Sequence, residues 1–297
     1  MSRHVAIVTD STAYLPRAAI ERHHITAVPL TVVLGDRALE EGTEISARSL
    51  AQALQKRSPV TTSRPSPGMF AETYRKVAAA GAEAIVSLHL SSVFSGTYDA
   101  AVMAAKEAPV PVQVVDTGMV AMALGFCALA AAETAEAGGG ADEAVAAAQQ
   151  RAAGTAAYFY VDSLDYLRRG GRIGAAQALF GSALAVKPIL QLADGRIELL
   201  EKVRTASKAI ARLEEIAAER AGEGQSQGKG KGGGQGQGKG EVDIAVHHLA
   251  AAERADALAQ RLRERVAGLR ELHVSEVGAV IGAHTGPGLL GVVVSPR

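Results

Sequence analysis

At 297 residues the chain has room for two cores, and 31 Lys+Arg against 31 Asp+Glu leave it without net charge. That balance excludes an electrostatic nucleic-acid binder, and the lack of Trp argues against base stacking. The single cysteine, Cys127, excludes a disulfide framework and a cysteine-based zinc cluster, and it reads as a core thiol in an apolar run. No metal site or cofactor is expected. The opening, MSRHVAIVTDST, has no signal-peptide apolar region, and the longest uncharged apolar run, Met119–Ala132, is too short to span a bilayer. A cytoplasmic protein with no stable membrane insertion is expected.

The elements follow in order. His4–Thr9 reads as a buried strand with Asp10-Ser11-Thr12 at its carboxyl end, and a helix starts near Pro16. Val28–Leu34 is a second strand, Gly35-Asp36 and Glu40–Thr43 are turns, and Ser46 caps a helix to about Lys56. Thr62 and Ser63 form a hydroxyl-rich loop before a helix that Ser66 caps and Pro67 opens. Arg64 is kept out of helix by Pro65.

The next stretch organises the reading. Ala84–Leu90 is a buried strand, Ser91–Thr97 a small, hydroxyl-rich turn, and Tyr98 onward a helix with Ala100, Ala101, Met103 and Ala104 suited to a core. Ligands of open parallel sheets sit outside the carboxyl ends of the strands, and a helix start there suits an anion. Ser95 and Thr97 supply hydroxyls and Gly96 allows close backbone approach. The competing reading is that Ser95 or Thr97 simply caps the helix.

Val112–Asp116 is a strand, Thr117–Ala137 and Asp142–Ala153 are helices, and the alternation predicts a mostly parallel, doubly wound sheet. A different block begins at Ala156, which places an N-terminal α/β domain at residues 1–154 and a C-terminal α/β domain at 155–297. There, Asp162–Arg169 is helical, and Arg172-Ile173-Gly174 leads to a helix through about Leu184. Lys187–Ala193 and Arg196–Val203 form a hairpin through Asp194-Gly195. A helix covers Ser207–Arg220, and Ala221–Gly240, almost wholly Gly, Gln and Lys, is a flexible insertion. Val242–His247 and Leu272–Val277 are strands around a helix at Ala251–Val266. A Gly-rich segment around His284 precedes a last short strand, Val292–Val294.

The segments VTDSTAYLP, TTSRPSPG, SSVFSGTY, DSLDYLRRGGRIG, KPIL with DG, KVRT and GAHTGPG run in this order from Val8 to Gly288. As an ordered set they resemble the DegV family of bacterial fatty-acid-binding proteins. The resemblance implies two α/β domains with a long-chain fatty acid between them, the second built on a smaller mixed sheet. It implies that Thr62, Ser63, Ser95 and Gly96 hold the carboxylate, with Arg204 and His284 near that head group. It further implies a monomeric, non-catalytic subunit that hands the acid to a separate ATP-dependent fatty acid kinase, a dihydroxyacetone-kinase-like protein, in phospholipid metabolism. His284 is expected to donate to the carboxylate or its phosphorylated product, since histidine can carry a proton near neutral pH. Arg172 is assigned to docking the kinase. Two departures stand out: Arg64 where the family commonly has Gln, and the Gly/Gln/Lys insertion.

A sixteen-carbon tail gains on the order of 10 kcal/mol gross on burial, so the tail supplies most of the affinity and the head-group residues set orientation. Ala178, Leu179, Ala183, Leu184, Ile189 and Leu190 are candidate tail-lining residues. The alternative is a serine hydrolase of a lipid or ester with Ser95 as nucleophile and His284 as base, but G-x-S-x-G is absent. A nucleotide-binding enzyme lacks both G-x-G-x-x-G and the P-loop. Asp10 reads as a turn former or an acceptor for the Ser/Thr loops.

Overall fold

The apolar runs become thirteen strands in three sheets in the computed structural model, which describes residues 4–56, 58–174, 187–227 and 240–297. The chain divides into two compact units. The first comprises Met1–Ala153 with the short returns Asp194–Arg196 and Gly278–Ala283; the second comprises Gly154–Ala193, Ile197–Val277 and His284–Arg297.

In the first unit, β1 (Val5–Asp10) passes through a 3-10 turn, Ser11–Ala13, and α1 (Arg17–Arg22) to β2 (Thr26–Val28). A three-stranded antiparallel sheet follows, of β3 (Thr31–Leu34), β4 (Arg37–Glu40) and, after α2 (Ala47–Gln55), β5 (Val60–Ser63). The single strand expected over Val28–Leu34 is therefore two strands in two sheets. Pro29 has no N–H to give a ladder. The chain changes sheet there, and the Leu30 N–H donates instead to Ser11 Oγ at 3.0 Å. Thr62 and Ser63 are also not in a loop: they end β5, opposite Val32 and Thr31.

The chain continues through α3 (Pro67–Ala79), β6 (Ala84–His89), α4 (Thr97–Ala105), β7 (Val112–Asp116), α5 (Met122–Glu136) and α6 (Ala141–Gly154). The order β2-β1-β6-β7, all parallel, is the doubly wound sheet the alternation implied. All six residues of β6 are buried, as a central parallel strand covered on both faces requires. On one face Phe70, Tyr74, Ala100, Ala101 and Ala104 of α3 and α4 pack on Val8, Val28 and Ile85. On the other, α5 packs on β1 and β6. Each large apolar side chain buried this way contributes about 1.5–3 kcal/mol. Met103, expected in this core, is exposed. The helix expected from Thr117 begins only at Met122, because Gly118 and Ala121 take positive φ.

The second unit is a mixed six-stranded sheet, larger than the four-stranded parallel sheet of the first and not the smaller sheet expected. Its strands are β8 (Ala156–Tyr160), β9 (Lys187–Ala193), β10 (Arg196–Val203), β11 (Val242–His248), β12 (Leu269–Glu276) and β13 (Leu290–Pro296), in the order β10-β9-β8-β13-β11-β12. Among the described residues its helices are α7 (Asp165–Arg169), α8 (Ala206–Gln227) and α9 (Ala252–Arg265). The last helix, α10 (Ala279–Thr285), begins in the first unit and ends in the second. The hairpin tip has φ 48° at Asp194 and 71° at Gly195, the sign pattern of a type I′ turn.

Alternate residues of β11 and β13 (Val242, Ile244, Val246, Leu290, Val292 and Val294) meet Leu213 and Ala217 of α8 and Leu258 and Leu262 of α9. The expected short terminal strand is thus a seven-residue strand inside the sheet, antiparallel to both β11 and β8. The Gly-rich segment before it begins inside α10. Helix α8 also outruns its expected end at Arg220: the first seven residues of the expected insertion are its last turns, and Ala221 is buried in the core. The rest of the insertion, and the helix expected to run to Leu184, lie outside the described residues apart from Gly240 and Arg172–Gly174. So do Ala178, Leu179, Ala183 and Leu184. Ile189 belongs to the core under the two helices.

Burial of Ala221 is testable. Ala221→Asp places an unpaired carboxylate in that core and should lower unfolding stability by at least ~2 kcal/mol in urea titration. Wild-type stability would show that the last turns of α8 do not pack.

Candidate functional site

The ends of β1 and β6 are joined by a buried polar network. Asp10 Oδ1 accepts from the Thr12 N–H at 3.1 Å and from Thr12 Oγ1 at 2.5 Å, and Oδ2 accepts from the Leu90 N–H at 3.0 Å. His89 Nδ1 lies 3.1 Å from Oδ2, and His89 Nε2 lies 2.8 Å from Ser87 Oγ, which accepts from Tyr74 OH at 2.9 Å. The tautomer with the His89 proton on Nδ1 pairs every member: Ser87 Oγ accepts from Tyr74 OH and donates to Nε2, and Nδ1–H donates to Asp10. Asp10 is thus an acceptor, as expected from sequence, for four atoms of three residues at the ends of β1 and β6. Asp10, Ser87 and His89 run in the order of a hydrolytic triad, yet all three are wholly buried. No substrate atom reaches them, and they hold the scaffold.

What they hold is the turn after β6. Ser91 Oγ donates to Gly195 O at 2.8 Å, and the Phe94 and Ser95 N–H groups both return to Ser91 O. Ser92 N–H is held by the Asp116 carboxylate at the end of β7, at 3.2 and 3.3 Å. The turn delivers Gly96 as the N-cap of α4. Gly96 has no side-chain oxygen, so neither Ser95 nor Thr97 is the cap; their hydroxyls pair with each other at 2.8 Å. The first turn of α4 therefore keeps its partial positive charge uncapped by any N-cap side chain. Arg64 lies over this point, with Nη1 3.4 Å from Gly96 O, and a methyl group at Gly96 would overlap its guanidinium. Thr62 is half-buried and Ser63 exposed, one strand-end away from Arg64.

A second fixed point of this unit is Glu41. Although it is buried, no cation among the described residues pairs with its carboxylate; it accepts from Ser11 Oγ at 2.5 Å, Tyr14 OH at 3.1 Å and the Val280 N–H at 2.8 Å. Burial pushes its pKa up. Tyr14 OH also accepts from the Ile281 N–H at 3.4 Å, so two donors in the first turn of α10 are met by side chains far away in sequence. Sequence reading missed Glu41, which it had placed in a turn, because nothing local signals a partner 239 residues on.

The remaining expected residues lie in the second unit. His284 lies in the last turn of α10 with its ring against Gly170, where a methyl group would overlap it. Arg172 Nη1 donates to Gly170 O at 2.6 Å, and its charge reaches His284. Burial first, and Arg172 second, push the His284 pKa down to about 4. The expectation that His284 carries a proton near neutral pH is corrected: burial beside Arg172 favours the neutral ring. Gly286 and Gly288 similarly lie against Tyr166 and Asp162. The Gly-rich segment and DSLDYLRRGG are thus two sides of one packing, which explains their glycines. Arg204 is exposed just past β10. Cys127 is a buried thiol with its pKa pushed up to about 12 by burial, as a core residue should be. Among the described residues no cluster of His, Cys, Asp or Glu has the geometry to hold a metal ion, and no helix is long and apolar enough to cross a membrane.

Residues 4–297 match the model of a family described as "Uncharacterised protein, DegV family". The chain belongs to the DegV family. A DegV domain-containing protein of Streptomyces coelicolor is 79% identical over all 297 residues, covering both chains fully. Protein DegV of Bacillus subtilis is 35% identical over 97% of this chain and 98% of its own. Among solved structures, a DegV family protein from Thermus thermophilus described for its fatty-acid binding superposes with a TM-score of 0.88. It is 32% identical and covers 99% of this chain and 100% of its own. DegV from Bacillus subtilis, described as a fatty acid binding protein, gives 0.87 at 34% identity with full coverage of both chains. The DegV fold thus accounts for both the parallel sheet and the separate mixed sheet.

Two measurements test this geometry. Asp10→Ala leaves a buried histidine and a backbone N–H without their acceptor, and should cost ~3 kcal/mol of stability in chemical denaturation. A loss under ~1 kcal/mol would mean that the network is not the anchor. Second, His284 and His247 both have pKa values pushed down to about 4 by burial, against an ordinary 6.5. The unfolded chain binds more protons between those values, so the stability they contribute is present above pH 6.5 and lost as pH falls through about 4. NMR titration should find His284 neutral from pH 8 to 5, and Arg172→Gln should raise its pKa. An unmoved pKa would refute the coupling.

Proposed function

We propose that this chain binds a long-chain fatty acid and presents its carboxyl group to a separate ATP-dependent fatty acid kinase, itself performing no chemistry. The observation that carries the reading is the turn at Ser95-Gly96-Thr97. There two hydroxyls, an uncapped helix start and a nearby guanidinium meet at the carboxyl end of a central parallel strand. It is supported by 32–34% identical structures of the same fold whose descriptions name fatty-acid binding. In this reading Thr62, Ser63, Ser95 and Gly96 receive the carboxylate, and Arg204 and neutral His284 serve the same head group. Arg172 holds the His284 environment and takes part in docking the kinase. The protein works as a monomer in the cytoplasm and feeds phospholipid metabolism.

The tail supplies the larger share of affinity at ~0.8 kcal/mol for each methylene buried, less the costs of ordering and association. The head-group donors prevent a charged carboxylate from being buried unpaired. The hydrolase alternative has no support. Ser95 Oγ is paired with Thr97, and among the described residues no histidine or carboxylate hydrogen-bonds it.

A denaturing organic extract of the purified protein, analysed by mass spectrometry against a control protein from the same cells, should contain a stoichiometric fatty acid. An empty extract, with no uptake of added oleate or palmitate, would overturn the reading. A hydrogen bond to a charged group contributes about 1.5–3 kcal/mol, so Ser95→Ala or Thr62→Ala should weaken oleate binding roughly 10- to 100-fold with an unchanged melting temperature. Wild-type affinity in both would remove these residues from the site.

A further inference from the structure

Arg64 stands where an arginine is electrostatically out of place. A cation beside a helix N-terminus meets the positive end of the macrodipole, where acidic groups are favoured. Yet the Arg64 guanidinium lies on Gly96, the N-cap of α4, close enough that no side chain fits there. Its one hydrogen bond is a long one, Nη1 to Gly96 O at 3.4 Å, and among the described residues no carboxylate pairs with it. Asp99, in the first turn of α4, is exposed and makes no ion pair with it. By contrast, Arg212 in the second unit is held by three glutamates.

The position is not an accident of a loose loop. Residues through Ser63 are fixed by β5 pairing with β3, and Pro65 is buried. Ser66 caps α3 by accepting from the Met69 N–H at 3.3 Å. Proline after Arg64 bars the helical conformation, so the backbone at Arg64 is set on both sides. The side chain is therefore carried by two rigid elements to a third. A guanidinium has five donors in a planar fork, and one long bond to a carbonyl uses one of them.

We propose that Arg64 is a specificity-determining residue that makes the turn at Ser95-Gly96-Thr97 select an ionised head group over a neutral one of the same tail. The inference rests on the fatty-acid reading and deepens it. The Ser95 hydroxyl, backed by that of the buried Thr97, can bond a neutral alcohol as well as an anion. Arg64 is exposed, and its guanidinium, seated beside a helix start of the same sign, exchanges water for a stronger partner when an anion arrives.

The test is a two-ligand comparison by titration calorimetry, with oleate and oleyl alcohol against wild type, Arg64→Gln and Arg64→Lys. Wild type should prefer oleate by at least tenfold. Arg64→Gln should lose about tenfold in oleate affinity with oleyl alcohol changed less than twofold, and Arg64→Lys should recover part of the preference. Oleate affinity unchanged in Arg64→Gln would overturn the assignment, as would equal losses for both ligands, which would mark a structural role. Wild type binding neither ligand would instead overturn the fatty-acid reading itself, and is distinguished by the wild-type trace alone.

Discussion

Asp10 is a carboxylate without solvent, and the ends of β1 and β6 are arranged around its donors. An ionised group buried alone costs far more than a small domain can spare, so its neighbours must supply hydrogen bonds. Thr12, Leu90 and His89 do so, and Ser87 and Tyr74 complete the chain. The result is a fixed spatial relation between two parallel strand ends. Because Leu90 is one of the donors, the residue that opens the Ser91–Thr97 turn is held directly by that carboxylate. The hydroxyls of the turn, and the helix start it delivers, inherit their position from this buried charge.

Backbone proximity plays the same part in the second unit. His284 lies against Gly170, Gly286 against Tyr166 and Gly288 against Asp162. A side chain at any of these glycines would push the two segments apart. The closeness has an electrostatic consequence. His284 is buried beside Arg172, and both effects favour the uncharged ring. An imidazole kept neutral near an arginine gives one directed donor without adding a second positive charge.

Much of this was legible in the sequence because it is local. Ser46 and Ser66 cap their helices, Pro67 opens one, Gly81 closes it, and Asp194-Gly195 turns a hairpin. The hydroxyl-rich turn after β6 and the apolar strands around it follow from residue type and spacing. The errors are equally physical. Val28–Leu34 was one apolar run, but Pro29 breaks the ladder. Ala221–Gln227 has the composition of a linker, yet it continues α8, the first of these residues buried in the core.

The sequence by itself determined the alternation of strand and helix, the parallel first sheet and the family. Short-range chemistry decides all of these: periodicity, caps, turn residues and the order of motifs. Only the tertiary structure decided that Asp10 and His89 are one network, that Glu41 meets α10, that His284 is neutral, and that Arg64 lies on Gly96. Each depends on burial and on distances between residues 32 to 239 positions apart. Nothing in the linear order of side chains fixes a dielectric or brings such groups together.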